Sequence, residues 1–318
     1  MPIEVIFKLT VCVIIFLVMM IPGFALKKSG LVSERAGRDF SNLVLYAAQP
    51  LLIISSFMRP YSEKEAIDIG VSAILAILFQ TLLVFFAMLF FGRTEEARKT
   101  VLRFSLIFSN IGFMGMPLIS YIFGADAVIY VSVNVVVFNL FAWTLGYYMY
   151  SGNKKYVSLR GALLNPMMIS TVIGLVIFFL DASTLFPSDG IVRSVCSSLG
   201  ALVSPLSMMI VGMRLTSVVS KESLRLFDAK LFLAHGARLL LAPALTFVFL
   251  FVFNRIGFCS DTVASVFLIT SSTPAATMTT MLAEKFDGDA SYASLLVSSS
   301  TVLSVLTMPV VGLLLFLF

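Results

Sequence analysis

Charge is what this sequence has least of. Only 12% of its 318 residues are Asp, Glu, Lys or Arg, and 59% are hydrophobic, whereas a soluble domain carries roughly 25% charged residues. No water-soluble fold of this size has an interior able to hide that much apolar surface, so the chain reads as an integral membrane protein. Histidine occurs once, and the three cysteines, Cys12, Cys196 and Cys259, have no CxxC or metal-ligand spacing. That excludes a zinc site, and no cofactor is expected. There is no GxxxxGK[ST] loop for nucleotide-driven pumping. No GxSG-type serine accompanies the lone His235 as a nucleophile with its base, so the chain is not read as an enzyme. A soluble sensing domain and a ring-forming filter motif are missing too, which disfavours a receptor or a channel. The net charge of +5 does not indicate nucleic acid, because the basic residues sit in short loops and form no patch with interleaved aromatics.

Acidic residues are informative by position. Asp68, Asp126, Asp181, Asp261, Asp287 and Asp289 all fall in loops or at the ends of apolar runs. A transporter with its own proton relay keeps a carboxylate near the midplane. Its absence argues against a sodium/proton antiporter and favours a facilitated carrier, or one in which a proton travels with the substrate's own carboxylate. Sodium coupling through Asn, Ser and carbonyl oxygens stays open.

What the sequence has in abundance is spans. Ten stretches are long enough to cross a hydrocarbon core of roughly 30 Å as helices: about 3–26, 38–58, 66–91, 100–123, 127–150, 163–181, 191–213, 230–253, 261–283 and 290–317. The first is too long for a signal-peptide core, and its charges follow the apolar run, so it reads as a retained span. Loops after odd-numbered spans hold sixteen Lys and Arg, among them Arg93, Lys154, Lys155, Lys221 and Arg225. Loops after even-numbered spans hold four: Arg59, Lys64, Arg193 and Arg255. This asymmetry places the odd loops in the cytoplasm and both termini outside, as a multi-pass protein of the bacterial inner (plasma) membrane.

A polar linker at 151–160 separates a first five-helix repeat, 1–150, from a second, 161–318. Five spans per half means that the second half enters from the opposite side. The repeat shows itself in SNIGFMGMPLISYIFGADA, Ser109 to Ala127, and STPAATMTTMLAEKFDGDA, Ser272 to Ala290. These match at Phe123/Phe286, Asp126/Asp289 and Ala127/Ala290 with a constant offset of 163. Span two also carries Pro50 and span seven Pro205, read as helix breaks. The expected fold is an all-α polytopic membrane protein of ten transmembrane helices in two inverted five-helix repeats.

Spans four and nine are interrupted in their interiors by polar, Gly and Pro residues. Interruptions at corresponding positions of two halves point to a secondary transporter's binding site. Gly112 and Gly115 loosen span four, and Pro117 expels a carbonyl and begins a second half-helix. In span nine Ser271, Ser272 and Thr273 lead into Pro274. Two half-helix N-termini aimed at one point form an anion site, which Asn110 and those three hydroxyls would complete by bonding a carboxylate. No basic residue is expected at that centre. Asn139 of span five and Ser300 of span ten are candidates to line the path, or simply interhelical glue; Gln80, and Gln49 beside Pro50, carry the same reading more weakly. Arg238 is placed near the cytoplasmic start of span eight, as an inner-mouth charge that lures anions or snorkels to the interface. His235 is read as capping polar neighbours.

NIGFMGMPL, the FGADA after it, and TPAATMTTMLAEKFDGDA resemble the auxin efflux carrier family, which includes plant auxin exporters and bacterial carriers of malonate and similar organic acids. The likeness covers essentially the whole chain. It implies a sodium/bile-acid symporter-like architecture with a scaffold of spans one, two, six and seven (about 1–60 and 161–214). A transport domain of spans three to five and eight to ten (about 66–150 and 230–318) would move as an elevator. Asn110, Pro117 and Pro274 are the carried-over site positions. The implied partners are a small organic anion (a mono- or dicarboxylate), the lipid bilayer and a second copy through the scaffold helices; no nucleic acid is expected. The short central loop departs from the plant members, so regulation there is not expected and auxin is not assumed. The alternative is a sodium-coupled organic-anion symporter of the bile-acid type.

Overall fold

Every stretch apolar enough to leave water is helical in the computed structural model, which describes residues 2–33, 35–92, 94–187, 189–216 and 228–318. Arg93, Lys221 and Arg225, counted above among the loop charges, lie outside those residues. No β-strand occurs among the described residues, as lipid demands of a chain whose backbone groups must find partners internally.

Among the described residues, eight helices are long and apolar enough to cross a membrane: α1 (Ile3–Lys28), α2 (Ala36–Phe57), α3 (Glu63–Leu89), α6 (Ala125–Ser151), α7 (Lys154–Phe179), α8 (Ile191–Leu215), α9 (Ala229–Arg255) and α12 (Ala290–Leu317). Spans four and nine are not single helices. Each is a pair of shorter ones: α4 (Glu96–Ile107) and α5 (Ile111–Phe123), then α10 (Asp261–Ser271) and α11 (Met278–Lys285). The polarity of the long helices is inverted relative to a soluble protein. On α1, Ile3, Phe7, Ile14, Val18 and Ile21 are each more than half exposed, and their spacing of three, four and seven forms one outward stripe. On α12 the buried face carries Ser298, Ser299, Ser300, Thr301 and Ser304.

Three prolines are accommodated in the same way. The chain widens into a π turn at Val44–Ala48, Ile111–Gly115 and Ala237–Leu241, two residues before Pro50, Pro117 and Pro243 respectively. A helical proline clashes with the carbonyl four residues back, and that residue, Tyr46, Phe113 or Leu239, is the central one of each π turn. The wider turn absorbs the clash. Pro50 therefore does not break α2, which runs on to Phe57. Pro205 follows a turn at Ala201–Leu202 that interrupts α8.

In the packing, α1 lies along the second half of α8, while α2 packs on α7 and on the first half of α8. Elsewhere α3 packs on α6, α9 on α10, and α11 on α12; α1 also touches α12 and α5. The α1–α8 contact is close because each helix presents a glycine to the other's backbone. A Cβ on Gly23 would lie 2.0 Å from Met209 O, and one on Gly212 would lie 2.0 Å from Met20 O. Small residues at such crossings let membrane helices gain van der Waals contact that lipid otherwise supplies equally well.

Gly212→Ala must push the two backbones apart and is expected to cost about 1–3 kcal/mol, read as a drop of several degrees in the Tm of the purified protein. Gly70→Ala, whose added methyl meets nothing within 4 Å, is expected to leave Tm unchanged or slightly higher. Equal Tm values for the two variants contradict the packing account.

Candidate functional site

Span four stops being helical at Phe108, whose φ of −110° and ψ of 113° are extended, and resumes at Ile111. Span nine stops after Ser271 and resumes at Met278. The two gaps lie antiparallel against each other. Ser109 faces Ala275; the Asn110 amide donates to Pro274 O at 2.8 Å and the Ala276 amide to Phe108 O at 3.0 Å. Each interruption thus supplies partners the other has lost. Gly112, Gly115 and Pro117 lie past the break, inside α5, so the opening of span four comes from this cross-pairing and not from those residues.

A broken helix leaves its last carbonyls without amides, and in a dry interior each must be satisfied. Side chains do much of this. Arg238, 1% exposed, donates Nη1 to Leu106 O at 3.0 Å, Nε to Thr273 O at 3.2 Å and Nη2 to Ser271 O. One guanidinium therefore closes the C-terminal ends of α4 and α10 together. Gln80 Nε2 donates to Ile107 O at 3.2 Å. Ser271, Ser272 and Thr273 donate their hydroxyl protons backward, to Leu268 O, Ile269 O and Thr270 O at 2.7–2.8 Å.

Two expectations are corrected here. Arg238 is not an inner-mouth charge but sits at the crossing itself, nine residues into α9, because only a side chain with five donors reaches both helix ends. The three hydroxyls are committed to their own helix and do not point protons at a carboxylate.

Asn110 is 3% exposed, and its Nδ2 has no hydrogen-bond partner. Its own carbonyl accepts the Met114 and Gly115 amides at 3.0 and 3.1 Å, opening α5. Ser300 reaches the other break: its Oγ accepts the Ala275 amide at 3.2 Å and donates to Val297 O at 2.8 Å. Asn139 is not brought to the crossing. Its Nδ2 donates to Val135 O at 2.9 Å and approaches Met167 Sδ at 3.9 Å, between α6 and α7. Asn134 instead joins Gln80, Ser109, Arg238, Thr270 and Ser271 around a cavity of about 20 Å³. That holds about one water, so no organic ligand fits there in this conformation. His235 Nε2 lies 3.0 Å from Ser299 Oγ. That hydroxyl already donates to Leu295 O, so the ring nitrogen is the donor, and the pair ties α9 to α12.

Paired breaks of this kind, held by backbone from both halves, are the geometry that transporters use, and comparison with known sequences agrees. A profile of the membrane transport protein family matches residues 9–311. The chain belongs to this family, the auxin efflux carrier family. It is 25% identical over 309 residues to a protein of Methanothermobacter thermautotrophicus named as an uncharacterized transporter, covering 94% of this chain and 96% of that one. It is 23% identical over 307 residues, with the same coverage, to an uncharacterized transporter of Methanocaldococcus jannaschii.

Each end of the transporter carries an arginine between two carboxylates. At the end bearing both termini, Arg59 contacts Glu65 at 2.6 Å and donates to Asp126 O at 3.0 Å. At the other end, Arg98 contacts Asp289 at 3.1 Å and Asp228 at 3.7 Å, with its guanidinium 4.8 Å over the Tyr292 ring. The first network borders a vestibule of about 560 Å³, lined by five carboxylates (Glu4, Glu65, Asp68, Asp126, Asp261) and three bases (Lys8, Arg59, Lys64). In the adjoining loop, burial, then Asp261 and Asp68, push the Cys259 thiol up to about 11. The lining of this vestibule therefore carries more acidic than basic side chains.

Arg238→Met leaves three buried carbonyls unpaired and is expected to lower stability by about 3 kcal/mol or more, read as loss of the monodisperse folded protein or a large fall in Tm. Arg238→Lys, a single ammonium that cannot span three acceptors, is expected to recover only part. Wild-type Tm in Arg238→Met contradicts the role assigned to the guanidinium.

Proposed function

We propose that this transporter is a secondary carrier of small organic anions, mono- or dicarboxylates of malonate-like or auxin-like size, working across the bacterial plasma membrane with both termini outside. The observation that carries this reading is the electrostatics of the crossing. The C-terminal ends of α4 and α10 are neutralised by Arg238 and Gln80. The N-terminal ends of α5 and α11 carry the partial positive charge of helix starts. Arg238 adds a full positive charge bonded only to carbonyls, and no carboxylate among the described residues lies in ion-pair contact with it. Asn110 Nδ2, at the same pair of breaks, is an unpaired donor. Such a place favours an anion strongly over a cation or a neutral solute.

The carrier would be a ten-helix inverted repeat, with spans four and nine as the broken pair. The repeat reading gains support from the two arginine networks: Glu65 and Asp126 on one end correspond to Asp228 and Asp289 on the other, both pairs at the 163-residue offset found in the sequence. A scaffold of α1, α2, α7 and α8 would stay in place, consistent with their mutual packing, while the remaining helices slide as an elevator. A crossing cavity of about 20 Å³, far below the roughly 300 Å³ of an ordinary ligand site, fits a closed state that must open along the scaffold to load.

Counterflow of labelled malonate and other carboxylates in proteoliposomes tests this. Saturable exchange of at least one small carboxylate is expected, with no exchange of cations, and Asn110→Ala is expected to abolish it while the protein still folds and reconstitutes. Full exchange in Asn110→Ala removes that residue from the site; no flux of any carboxylate removes the carrier reading. Counterflow unchanged on removing sodium is expected, and strict sodium dependence would turn the reading to a bile-acid-type symporter.

A further inference from the structure

We infer that Gln49 is a second substrate-reading side chain, an acceptor held at the same break as Asn110's donor, which selects anions carrying a hydrogen-bond donor of their own. This rests on the carrier reading above. Gln49 is fully buried and follows the Val44–Ala48 π turn in α2, immediately before Pro50. Its Nε2 donates to Gly112 O at 2.6 Å. A carbonyl can only accept, so this bond fixes which way the amide faces. The Oε1 is then the amide atom not bonded to Gly112 O, and it has no hydrogen-bond partner.

Unpaired buried amide oxygens are rare, because each loses its water without replacement. Here an orphan acceptor and an orphan donor occur at one break: Gln49 grips Gly112, two residues along from Asn110, whose Nδ2 is the orphan donor. They come from opposite sides of the proposed sliding interface. Gln49 belongs to α2, packed on α7 and α8, whereas Asn110 belongs to the crossing. The π turn and Pro50 explain how a side chain of α2 is aimed there, since a wider turn rotates the residues after it relative to an unbroken helix. A ligand that separates the two walls would break the Gln49–Gly112 bond and meet both amides.

The chemistry that fills both valences is specific. Asn110 Nδ2 and the half-helix N-termini take a carboxylate. Gln49 Oε1 takes a hydroxyl, an N–H or the proton of a second, un-ionised carboxyl. A simple aliphatic monocarboxylate has no such group and leaves Oε1 unpaired, and sites built to bond a polar hydrogen reject analogues that lack it. The substrate class is therefore a small carboxylate with a donor near the carboxylate: a hydroxy acid, an N–H-bearing acid or a hydrogen-dicarboxylate.

Competition against carrier-mediated counterflow tests this with two matched pairs: lactate against propionate, and hydrogen malonate against monomethyl malonate, whose donor is capped. In the wild type the donor-bearing member of each pair is expected to compete about tenfold or more better. In Gln49→Leu, checked for folding by gel filtration, the two members are expected to fall within about threefold of each other, chiefly through loss for the donor-bearing one. Thermal stabilisation of the wild type by lactate above that by propionate is the expected second readout and needs no variant. No donor preference in the wild type, or a preference that survives in Gln49→Leu, overturns the proposal and leaves the carrier reading standing. No flux of any anion overturns both.

Discussion

Two interrupted backbones in a medium without water can persist only by completing each other. The pairing of Phe108–Asn110 with Pro274–Ala276 is the constraint on which the rest of the molecule depends. An isolated break in either span would strand several amides and carbonyls in the bilayer, each worth several kcal/mol. Together the breaks satisfy one another at the centre, and Arg238, Gln80 and the back-bonded hydroxyls close what remains on the carbonyl side. The same accounting explains the polarity of the site. The carbonyls at the helix C-termini are consumed by side-chain donors, so what is left over is positive charge and the Asn110 Nδ2 donor, together with the Gln49 Oε1 acceptor.

Proline organises the polar residues that matter. Gln49, Asn110 and Arg238 lie on different helices, yet each stands within or at the edge of a π turn that precedes a proline. In each case the turn relieves the clash with the carbonyl four residues back and re-aims nearby side chains. This links a sequence feature, Pro in an apolar run, to local backbone, then to a side chain delivered at the crossing. Between α1 and α8 a different device operates, glycines that bring the two helices into backbone contact.

Much of the fold was legible in the sequence because it follows from hydropathy and charge alone. The apolar runs became helices, and spans four and nine were recognisable as the broken pair from their Gly, Pro and hydroxyl content. The details of the site were less legible, for physical reasons. The extent of the span-four break is set by cross-pairing with a segment more than 160 residues away, which no local signal encodes. Ser271, Ser272 and Thr273 were natural donors on paper, but near a helix C-terminus a hydroxyl finds a free carbonyl within its own turn. Asn139 and Asn134 are indistinguishable by composition; their five-residue separation puts them on different faces of α6, and only packing shows which one meets the crossing. The depth of Arg238 does follow from helix geometry: nine residues at 1.5 Å each is about 14 Å, half the thickness of the hydrocarbon core.

The central claim is that the two breaks form one fixed pairing that travels as a unit. Cysteines replacing Ser109 and Ala275, in a protein whose Cys12, Cys196 and Cys259 have been replaced, test it most directly. Facing residues of this kind bring their Cα atoms within about 5 Å of each other, within disulfide range. The account predicts near-complete intramolecular cross-linking under mild oxidation, with carrier counterflow retained after the link has formed. Failure to cross-link in the folded protein, or a link that abolishes counterflow reversibly with reductant, would contradict it.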